Sequence, residues 1–548
     1  MHRSLAVLAL AGALLPATHP LLPQATPVEQ QVETLVAAGR LPGLRWPVFT
    51  DVQPDLERVY AARGWRPLWF SDDTLTAPAR ALIRVLGEAA NRGLDPRDYD
   101  AGWFRAEADR PILSGDSSRV ARLEVGLSVA ASRFAYALRK GRVNPAAVHA
   151  TFKLPVDSFT VDSTLVRLST AAQPNNVLSP LEPSLLHYYL LIGALVRYRE
   201  LAKDSLLVQL PPMPRRLRPG DRYEGVPALR RLLRLLGDDR DSVVTQAGDT
   251  AYAGTLVDAV KRFQARQGFT PDGVIGDSTR ARMQHPFEGA IRQMELTLER
   301  FRWMPRKFSA PPIFVNIPAF RLYAFSGDQS DESSLLRMNV VVGTAFKTET
   351  PVFAADMTYL IFAPHWEVTP TIAADEVKPA ATKNPAWLVK NHMELIRGND
   401  VVPGTPENIA AIGNGVRVRQ TPGAHNALGG VKFLLPNDYQ VYLHDTPSRS
   451  LFERSKRDAS HGCIRLGDPF ALARFVLRDQ PEWTDDRIRE AMKGETPIRV
   501  DLSHPIPVFI VYGTAIAREN GDVLLYSDIY GHDRRLNQLL KKGYPYRR

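Results

Sequence analysis

The stretch that decides the fold is Ser460-His461-Gly462-Cys463-Ile464-Arg465-Leu466. It holds the only cysteine of a 548-residue chain, and His444 precedes that cysteine by nineteen positions. A single cysteine is most often a small core hydrophobe. Cys463, however, belongs to a polar stretch that begins at Ser455, and the nearby Arg465 favours the reactive thiolate form. The pattern predicts a nucleophilic cysteine with a histidine as its base.

The segment Tyr439-Gln440-Val441-Tyr442-Leu443-His444 carries that histidine. Its residues are β-branched or aromatic and alternate with period two, so Tyr442 and His444 share one face. Asp445-Thr446-Pro447 ends the strand, because proline lacks a ladder donor. We therefore expect a strand over 439–444, with His444 at its exposed end, on the edge of a cleft.

A helix is expected directly after the cysteine. Asp468 is an N-cap and Pro469 occupies the first helical position, followed by an apolar face of Phe470, Ala473, Val476 and Leu477. The nucleophile thus lies on a loop between a strand and a helix. The amide groups around Gly462 and Cys463 are expected to be free of ladder bonds there, as an oxyanion hole requires.

At these residues the chain resembles a known family. His444 together with 460–465 is similar to the signature of the YkuD-type L,D-transpeptidases, cysteine enzymes that cross-link bacterial peptidoglycan. The similarity continues through four further segments: Arg417 to Gly429, Lys432-Phe433, Pro436-Asn437 and Val441 to Pro447. These are typical of the large multidomain periplasmic branch of the family. The resemblance covers essentially the whole mature chain, and the N-terminal region matches only loosely.

The resemblance implies a mechanism. His444 would draw the proton from Cys463, and the thiolate would attack the carbonyl of the third stem residue so that D-alanine leaves. The loop amides, with Tyr442 nearby, would stabilise the oxyanion. The amine of a neighbouring stem would then resolve the thioester and give a cross-link between two third-position residues. Water as acceptor would instead make the enzyme an L,D-carboxypeptidase.

Four further residues are expected to bind substrate. Arg419, Gln420 and Asn426 match the family's cleft run and would hold stem carboxylates or amides. Arg465 would brace the loop or contact the substrate. The resemblance also implies stem peptides as donor and acceptor, and carbapenem-type β-lactams as inhibitors.

Two assignments inside the motif stay open. His461 competes with His444 as the base, but it lies only two positions before Cys463, so its expected task is to shape the loop with Gly462. A backbone carbonyl or Ser460 would orient the imidazole, and the sequence does not choose between them.

Two other classes of protein compete with this interpretation. His444, Asp445, His461 and Cys463 are all metal-ligand types and could form a zinc hydrolase, but no pair has a helical or knuckle spacing. We expect no metal and no cofactor. The second alternative is a non-catalytic wall-binding scaffold, which an intact Cys-His-Gly constellation disfavours.

The charge balance agrees with an acidic polymer as partner. Lysine plus arginine total 69 against 59 acidic residues, a net charge of +10, without a long basic run. Such a diffuse positive surface argues against a nucleic-acid arm. It suits peptidoglycan, whose stem peptides carry free carboxylates.

The N-terminus predicts export. A basic Met1-His2-Arg3, an apolar run from Leu5 to Leu15 and a polar stretch to Pro27 are typical of a signal peptide or N-terminal anchor over 1–25. Whether it is cleaved stays open. No later apolar run is long enough to cross a bilayer, and one cysteine is compatible with an oxidising compartment. We expect the periplasm of a Gram-negative-type bacterium.

The length predicts several domains, because one core does not grow to this size. We expect a multidomain α+β protein with these parts: an all-α scaffold domain at 45–205, a three-helix domain at 222–285, a linker helix at 286–311, a mainly-β YkuD-like catalytic domain at 312–505, and an extension at 506–548 that packs on the body. In the scaffold, Leu123, Leu127, Ala130, Phe134 and Leu138 recur at helical spacing before Gly141.

Two of these parts carry their own hypotheses. The run from Ala259 to Thr279 resembles the peptidoglycan-binding type 1 domain, although its matched residues mostly specify structure, so a spacer role stays open. The insertion at about 367–416 holds a mobile cap in the resembling enzymes, and an ordinary surface excursion is the alternative.

Overall fold

The computed structural model describes residues 25–111, 113, 115–153, 158–205, 208–241, 248–325, 335–345 and 347–544. The predicted signal or anchor at 1–25 lies outside these residues except for Ala25. The fold is multidomain α+β, as expected, with a helical N-terminal part, a small helical unit and a mainly-β part. Within the described residues, no helix has the length and apolar character needed to span a membrane.

The N-terminal part is built around one long buried helix. Its elements are α1 (Pro27–Ala38), α2 (Gln53–Ala61), β1 (Phe70–Ser71), β2 (Thr74–Leu75), α3 (Ala77–Gly87), α4 (Ala101–Ala108), α5 (Ser117–Lys140), α6 (Pro145–Val148), α7 (Asp162–Leu168), α8 (Asn175–Leu178) and α9 (Leu186–Ser205), with 3₁₀ turns at Ala89–Arg92, Pro96–Tyr99 and Ser179–Leu181. The helical repeat predicted at 123–138 lies in α5, is buried, and ends at Gly141.

The small helical unit has its own core. It consists of α10 (Val226–Leu235), α11 (Thr255–Arg266) and α12 (Asp277–Gln284), followed by the longer α13 (Glu288–Phe301). Leu229, Leu233, Val260 and Phe263 are fully buried in it. Three short helices around a small core were expected here, and the structure confirms them.

A nine-stranded sheet forms the body of the mainly-β part. Its strands are β3 (Ile313–Asn316), β4 (Arg321–Ala324), β5 (Leu336–Gly343), β6 (Phe353–Phe362), β11 (Val431–Leu434), β12 (Leu443–His444), β13 (Asp458–Ser460), β14 (Ile464–Leu466) and β15 (Ile498–Val511). They follow the order β13-β5-β14-β12-β11-β6-β15-β3-β4, and a further β4–β5 pairing closes the sheet on itself. The neighbours β12 and β14 are parallel.

The insertion is a folded subdomain, here called the cap. It contains β7 (Trp366–Glu367), α14 (Pro370–Ile372), a π-helical turn (Ala373–Val377), α15 (Lys378–Lys383), α16 (Ala386–Lys390), β8 (Met393–Arg397), β9 (Asp400–Val402), α17 (Pro406–Ala410) and β10 (Arg417–Gln420). Its four strands form a separate sheet, β7-β10-β8-β9, over a separate apolar core. An ordinary surface excursion would have no such core.

The remaining elements are α18 (Pro469–Val476), α19 (Asp485–Lys493), β16 (Ala515–Ala517), β17 (Val523–Leu525), α20 (His532–Lys541) and a 3₁₀ turn at Arg449–Glu453. The boundary expected at 505/506 falls inside β15, which pairs with β6 before and after a register shift between Asp501 and Ile506. The start of the C-terminal extension is therefore an interior strand of the main sheet. Only the segment after β15 packs on the body.

The strand expected over 439–444 is also shorter. Only Leu443 and His444 are in β12, because the Asn437 side chain accepts hydrogen bonds from the amides of Tyr439 and Val441, at 2.9 and 3.2 Å. Gln440 adopts a left-handed φ of 55°. Local side-chain to backbone bonds thus replace the ladder in the first half of this segment.

Candidate active site

The proposed nucleophile and base lie on adjacent parallel strands. Leu443 is opposite Ile464 and His444 is opposite Arg465, and Cys463 directly precedes β14. Because side chains alternate along a strand, His444 and Arg465 lie on one face of the sheet together with Tyr442 and Cys463.

His444 is buried, with 4% of its surface exposed, which corrects the expected exposed strand end. Its Nδ1 is 2.5 Å from the carbonyl oxygen of Asp445. A carbonyl only accepts, so Nδ1 carries the proton and Nε2 is left with a free lone pair. Burial lowers the pKa of His444 to about 3, and the charges of Arg465 and Lys432 act in the same direction against the hydrogen bond to Asp445. The imidazole is therefore neutral and able to accept a proton.

Asp445 is fixed by its own side chain. Its carboxylate accepts hydrogen bonds from the amide of Gly430 at 2.8 Å, the amide of Thr446 at 2.6 Å and the guanidinium of Arg449 at 2.5 Å. A Cβ at Gly429, where φ is 59°, would lie 2.3 Å from this carboxylate. The group that orients the imidazole is thus a well-anchored backbone carbonyl rather than Ser460.

The Cys463 thiol donates to the Gln440 carbonyl, with Sγ and oxygen 3.7 Å apart. Burial raises the pKa of Cys463, whereas hydrogen bonds with Tyr442 and the charges of Arg465 and Lys432 lower it. The cation expected to favour a thiolate is present, but burial outweighs it. The resting group is a neutral thiol, which needs a base to react.

Ser460 shapes the loop that carries the cysteine. Its hydroxyl donates to the Cys463 carbonyl at 2.5 Å and accepts from the Gly462 amide at 3.2 Å. Gly462 has φ of 113°, and a Cβ there would meet no atom closer than 3.9 Å. The backbone conformation, rather than lack of space, therefore requires glycine.

This arrangement leaves one loop amide available. The Gly462 amide, expected to be free, is bonded to Ser460, whereas the Cys463 amide has no acceptor among the residues that the structure describes. Tyr442 is hydrogen-bonded with the thiol, and burial raises the pKa of Tyr442 well above its ordinary value, so its hydroxyl stays protonated. Tyr442 donates to the sulfur through both its backbone amide and its hydroxyl, and the Cys463 amide is a further donor in the loop.

A second network, missed by sequence reasoning, holds the loop from behind. The hydroxyl of Thr350 donates to the Gly462 carbonyl at 2.8 Å and accepts from the Gly343 amide at 2.8 Å. The hydroxyl of Tyr530, from the C-terminal segment, donates to the Gly343 carbonyl at 2.5 Å and accepts from the Thr350 amide at 3.3 Å. These residues are far from the motif in sequence, so no local pattern could reveal them.

Two cations act on the thiol and form no ion pair with any residue that the structure describes. Arg465 forms no ion pair with any residue described, and its buried Nε has no hydrogen-bond partner. Lys432, opposite His444 on β11, lies with Nζ 5.9 Å from the ring centre of Tyr442. Burial lowers the pKa of both groups, and the Cys463 thiol acts against that shift. Lys432 was not predicted as a site residue, although its place in a strand next to His444 is a usable signal.

Two of the predicted substrate residues are buried and bonded to backbone groups. Gln420 is buried, where it donates to the Asn391 carbonyl at 3.0 Å and accepts from the Ala427 amide at 2.9 Å. Asn426 is fully buried and donates to the carbonyls of Pro364 and Thr421, at 3.0 and 2.8 Å. Both side chains are thus buried and bonded to backbone groups, and a substrate contact at Gln420 or Asn426 stays a prediction.

Arg419 forms an ion pair inside the cap. It lies in β10 of the cap and pairs with Glu394 at 2.7 Å, with about a quarter of each side chain exposed. A stem carboxylate would have to compete with this ion pair. A substrate contact at Arg419 stays a prediction.

His461 connects the loop to the cap. Its Nε2 is 3.1 Å from Oε1 of Glu376, in the π-helical turn, and both side chains are more than half exposed. This nitrogen is therefore directed at the cap. In the part of the chain that is described, no three His, Cys, Asp or Glu side chains cluster in a way that could hold a metal ion.

Three segments of the chain match models of known protein families. Residues 311–500 match the model described as the L,D-transpeptidase catalytic domain, YkuD. Residues 54–195 match a scaffold domain, and residues 222–283 match a "Putative peptidoglycan binding domain". The chain thus contains a segment that matches the L,D-transpeptidase catalytic domain and a second segment that matches a peptidoglycan-binding domain.

Two individual proteins are similar to this chain. A Haemophilus influenzae protein named "Putative L,D-transpeptidase" is 31% identical over 250 residues, which is 45% of this chain and 49% of that protein. The match spans about half the length of this relative. The crystal structure of the L,D-transpeptidase (residues 123–326) from Xylanimonas cellulosilytica covers 55% of this chain and 100% of its own, with 15% identity and a TM-score of 0.16. A score that low supports no structural argument.

Proposed function

We propose that this protein is a peptidoglycan L,D-transpeptidase, a cysteine acyltransferase that links third-position residues of two stem peptides. The observation that carries the proposal is a neutral His444, its proton fixed on Nδ1 by the Asp445 carbonyl, on the same sheet face as Cys463. A buried thiol of raised pKa must lose its proton to react, and the free Nε2 of the neutral imidazole is able to accept it.

The first half-reaction forms the acyl-enzyme. Nε2 of His444 takes the thiol proton as Sγ of Cys463 attacks the carbonyl carbon of the third stem residue. The Cys463 amide and the Tyr442 hydroxyl donate to the oxyanion. The C–N bond to D-alanine then breaks, and the imidazolium returns its proton to the leaving amine, which leaves a thioester on Cys463.

The second half-reaction releases the product. The side-chain amine of a neighbouring stem attacks the thioester carbonyl, and the C–S bond to Cys463 breaks as the new amide forms. His444 accepts a proton from that amine and passes it to the sulfur, which regenerates the thiol. Lys432, which lies in the field of the Glu367 carboxylate but forms no ion pair among the residues described, and Arg465, whose buried Nε has no partner there, are suited to hold stem carboxylates in both steps. A carbapenem would present an equivalent carbonyl to Cys463 and would remain attached as a thioester.

A peptidoglycan substrate places the enzyme at the cell wall or in the periplasm, and export through residues 1–25 is part of the same proposal. The test is mass-spectrometric analysis of muropeptides after incubation of the purified enzyme with isolated sacculi. We expect dimers linked between third-position residues, absent with Cys463→Ala. Tetrapeptide stems shortened by D-alanine without dimers would establish a carboxypeptidase instead, and unchanged stems would contradict both activities.

A further inference from the structure

A large polar groove lies between the small helical unit and the catalytic domain. It encloses about 1130 Å³. One wall is the 268–279 segment of the small unit, and the other is formed by 318–321 and 455–457 of the catalytic domain, with residues near 518–529 at the floor. A hydrogen bond of 3.3 Å between the hydroxyls of Thr270 and Ser455 connects the two walls.

The position of the small unit relative to the groove is held by a buried ion pair. Arg266 pairs with Asp238 at 2.6 Å and also donates to the Tyr198 hydroxyl at 2.9 Å and the Val523 carbonyl at 3.3 Å. These contacts join the small unit to α9 and to β17. These contacts therefore fix the position of the groove wall, because leaving the buried charge of Arg266 without Asp238 would destabilise the fold.

The groove carries positive charge without counter-ions. Five arginines line it, and none forms an ion pair with a described residue: Arg215, Arg216, Arg321, Arg457 and Arg518. The two aspartates that line the groove already have partners within the small unit. Asp272 accepts hydrogen bonds from the Gln264 side chain and the Val274 amide, and Asp277 forms an ion pair with Arg280.

The arginines at the centre of the groove are close to one another. The Arg457 guanidinium donates only to oxygens that carry no charge, including the Arg454 carbonyl at 2.6 Å, and stacks on Phe320 at 5.3 Å. Burial lowers its pKa to about 10, and the neighbouring Arg321 acts in the same direction. Such mutual repulsion between neighbouring cations is relieved when an anion binds between them.

Two tyrosines also belong to the lining of the groove. Tyr323 and Tyr526 are hydrogen-bonded to each other, and the charges of both Arg321 and Arg518 act on them. Aromatic faces beside cations suit a ligand that combines apolar ring surfaces with carboxylates. A sugar chain with acidic peptides has this composition.

The groove is also close to the nucleophile along the chain. Cys463 is only six positions after Arg457, and much of that path is β13, so the two lie at most roughly 20 Å apart. We infer that the groove between Arg321, Arg457, Arg518 and the 268–279 segment binds the carboxylates of a peptidoglycan strand outside the catalytic cleft. This rests on the proposed function, and it assigns the wall-binding surface to the junction of two domains rather than to the small unit alone.

The test measures binding of the full chain to isolated sacculi in the Cys463→Ala background, where the wall stays unprocessed. The double variant Arg321→Gln/Arg518→Gln should weaken binding by about tenfold, the scale for removing two partly exposed charge contacts. Arg84→Gln/Arg122→Gln removes two exposed scaffold arginines that form no ion pair with described residues, and it should bind as the background does. Thermal unfolding of each variant checks that the fold is kept.

A second arm identifies the ligand groups. Sacculi whose stem carboxylates have been converted to amides should bind the background protein about as weakly as native sacculi bind the Arg321→Gln/Arg518→Gln variant. Unchanged binding to amidated sacculi, or equal losses in both double variants, would overturn the inference. Equally tight, Arg321-dependent binding to double-stranded DNA would overturn it in favour of a general polyanion site.

Because binding is measured without the nucleophile, it is independent of turnover. A wild-type enzyme that makes no cross-links and no thioester would refute the proposed function while the groove could still bind the wall. An enzyme that cross-links normally while Arg321 and Arg518 are dispensable for binding would refute only the groove.

Discussion

The 460–463 loop and the 420–426 loop are both polar, and both belong to the run of residues that resembles the L,D-transpeptidases, yet the structure uses them in opposite ways. In the second loop, Gln420 and Asn426 are buried and their amides are bonded to backbone groups. In the first, the Ser460 hydroxyl and the Thr350 hydroxyl hold loop carbonyls, while the thiol and amide of Cys463 lie on the face shared with His444. The resembling run therefore combines residues that are proposed to react with residues that hold the backbone, and their hydrogen-bond partners rather than their burial distinguish them, since His444 is itself buried.

Removing the nucleophile gives the largest contrast between the loops. Cys463→Ala should reduce cross-linking to background, because no other described group near His444 is a thiol. Its free energy of unfolding should change by less than about 1 kcal/mol, since the small thiol makes only weak hydrogen bonds, to the Gln440 carbonyl and with Tyr442. Muropeptide analysis and urea unfolding measure the two quantities. Turnover of Cys463→Ala within tenfold of wild type would show that Cys463 is not the nucleophile.

The base is the next largest effect. His444→Ala should slow acylation by about a hundredfold or more, the usual scale for a general base. Because the pKa of His444 is about 3, wild-type acylation should show no histidine step between pH 8 and pH 5. In His444→Ala, only the thiolate fraction reacts, so the rate should rise about tenfold per pH unit below the raised thiol pKa.

The pH profile of acylation by a soluble donor checks both statements. Protonation inactivates the base, so an imidazole of ordinary pKa would lose activity as the pH falls through about 6.5. A wild-type profile with that midpoint would show that His444 is not held neutral by burial.

The support behind the reactive loop should have a moderate effect. Tyr530→Phe removes the hydroxyl that bonds both Gly343 and Thr350, and it should lower kcat about tenfold with little change in KM, because the loop is positioned less accurately. Tyr223→Phe removes a tyrosine hydroxyl bonded to the Pro211 carbonyl in the small unit, and it should leave kcat unchanged. Steady-state kinetics on a soluble stem peptide would distinguish the two variants. Equal kcat values would show that the Tyr530 hydroxyl does not position the loop.

The contact between loop and cap should matter less. Glu376→Gln weakens an exposed pair with His461 and should change kcat/KM by no more than about threefold, less at high salt. Asp375→Asn is the matched control, because Asp375 is an exposed neighbour without an ion pair among the described residues. A tenfold effect confined to Glu376→Gln would instead make this contact part of catalysis.

The second motif loop should show no effect on chemistry. Asn426→Ala leaves buried carbonyls without donors and should destabilise the fold by about 1–3 kcal/mol. Turnover per folded molecule should stay at the wild-type value. Loss of turnover at full stability would return Asn426 to the substrate site.

The sequence predicted what depends on local pattern. The helical repeat of α5, the three short helices and the mainly-β body follow from periodicity, capping and turn residues, and the structure confirms them. The position of Cys463 and His444 on adjacent strands is consistent with the spacing of the motif.

What the sequence missed depends on contacts between distant segments. His444 is buried because β11 and β14 flank it on both sides, and the pKa of Cys463 is raised because burial exceeds the effect of Arg465. Tyr530 reaches the loop from the C-terminal segment, 67 residues after Cys463. The period-two alternation of residues 439–444 does not reveal the hydrogen bond from the Val441 amide to the Asn437 side chain, which shortens β12.

The most direct measurement of the central claim is the mass of the enzyme after reaction with a carbapenem, followed by peptide mapping. Trypsin releases residues 458–465, which contain both Ser460 and Cys463, so fragment ions must locate the adduct. The pairing of Cys463 with a neutral His444 predicts one intact carbapenem on Cys463, formed at least about a hundredfold more slowly in His444→Ala. An adduct on Ser460, or one formed equally fast without His444, would contradict it.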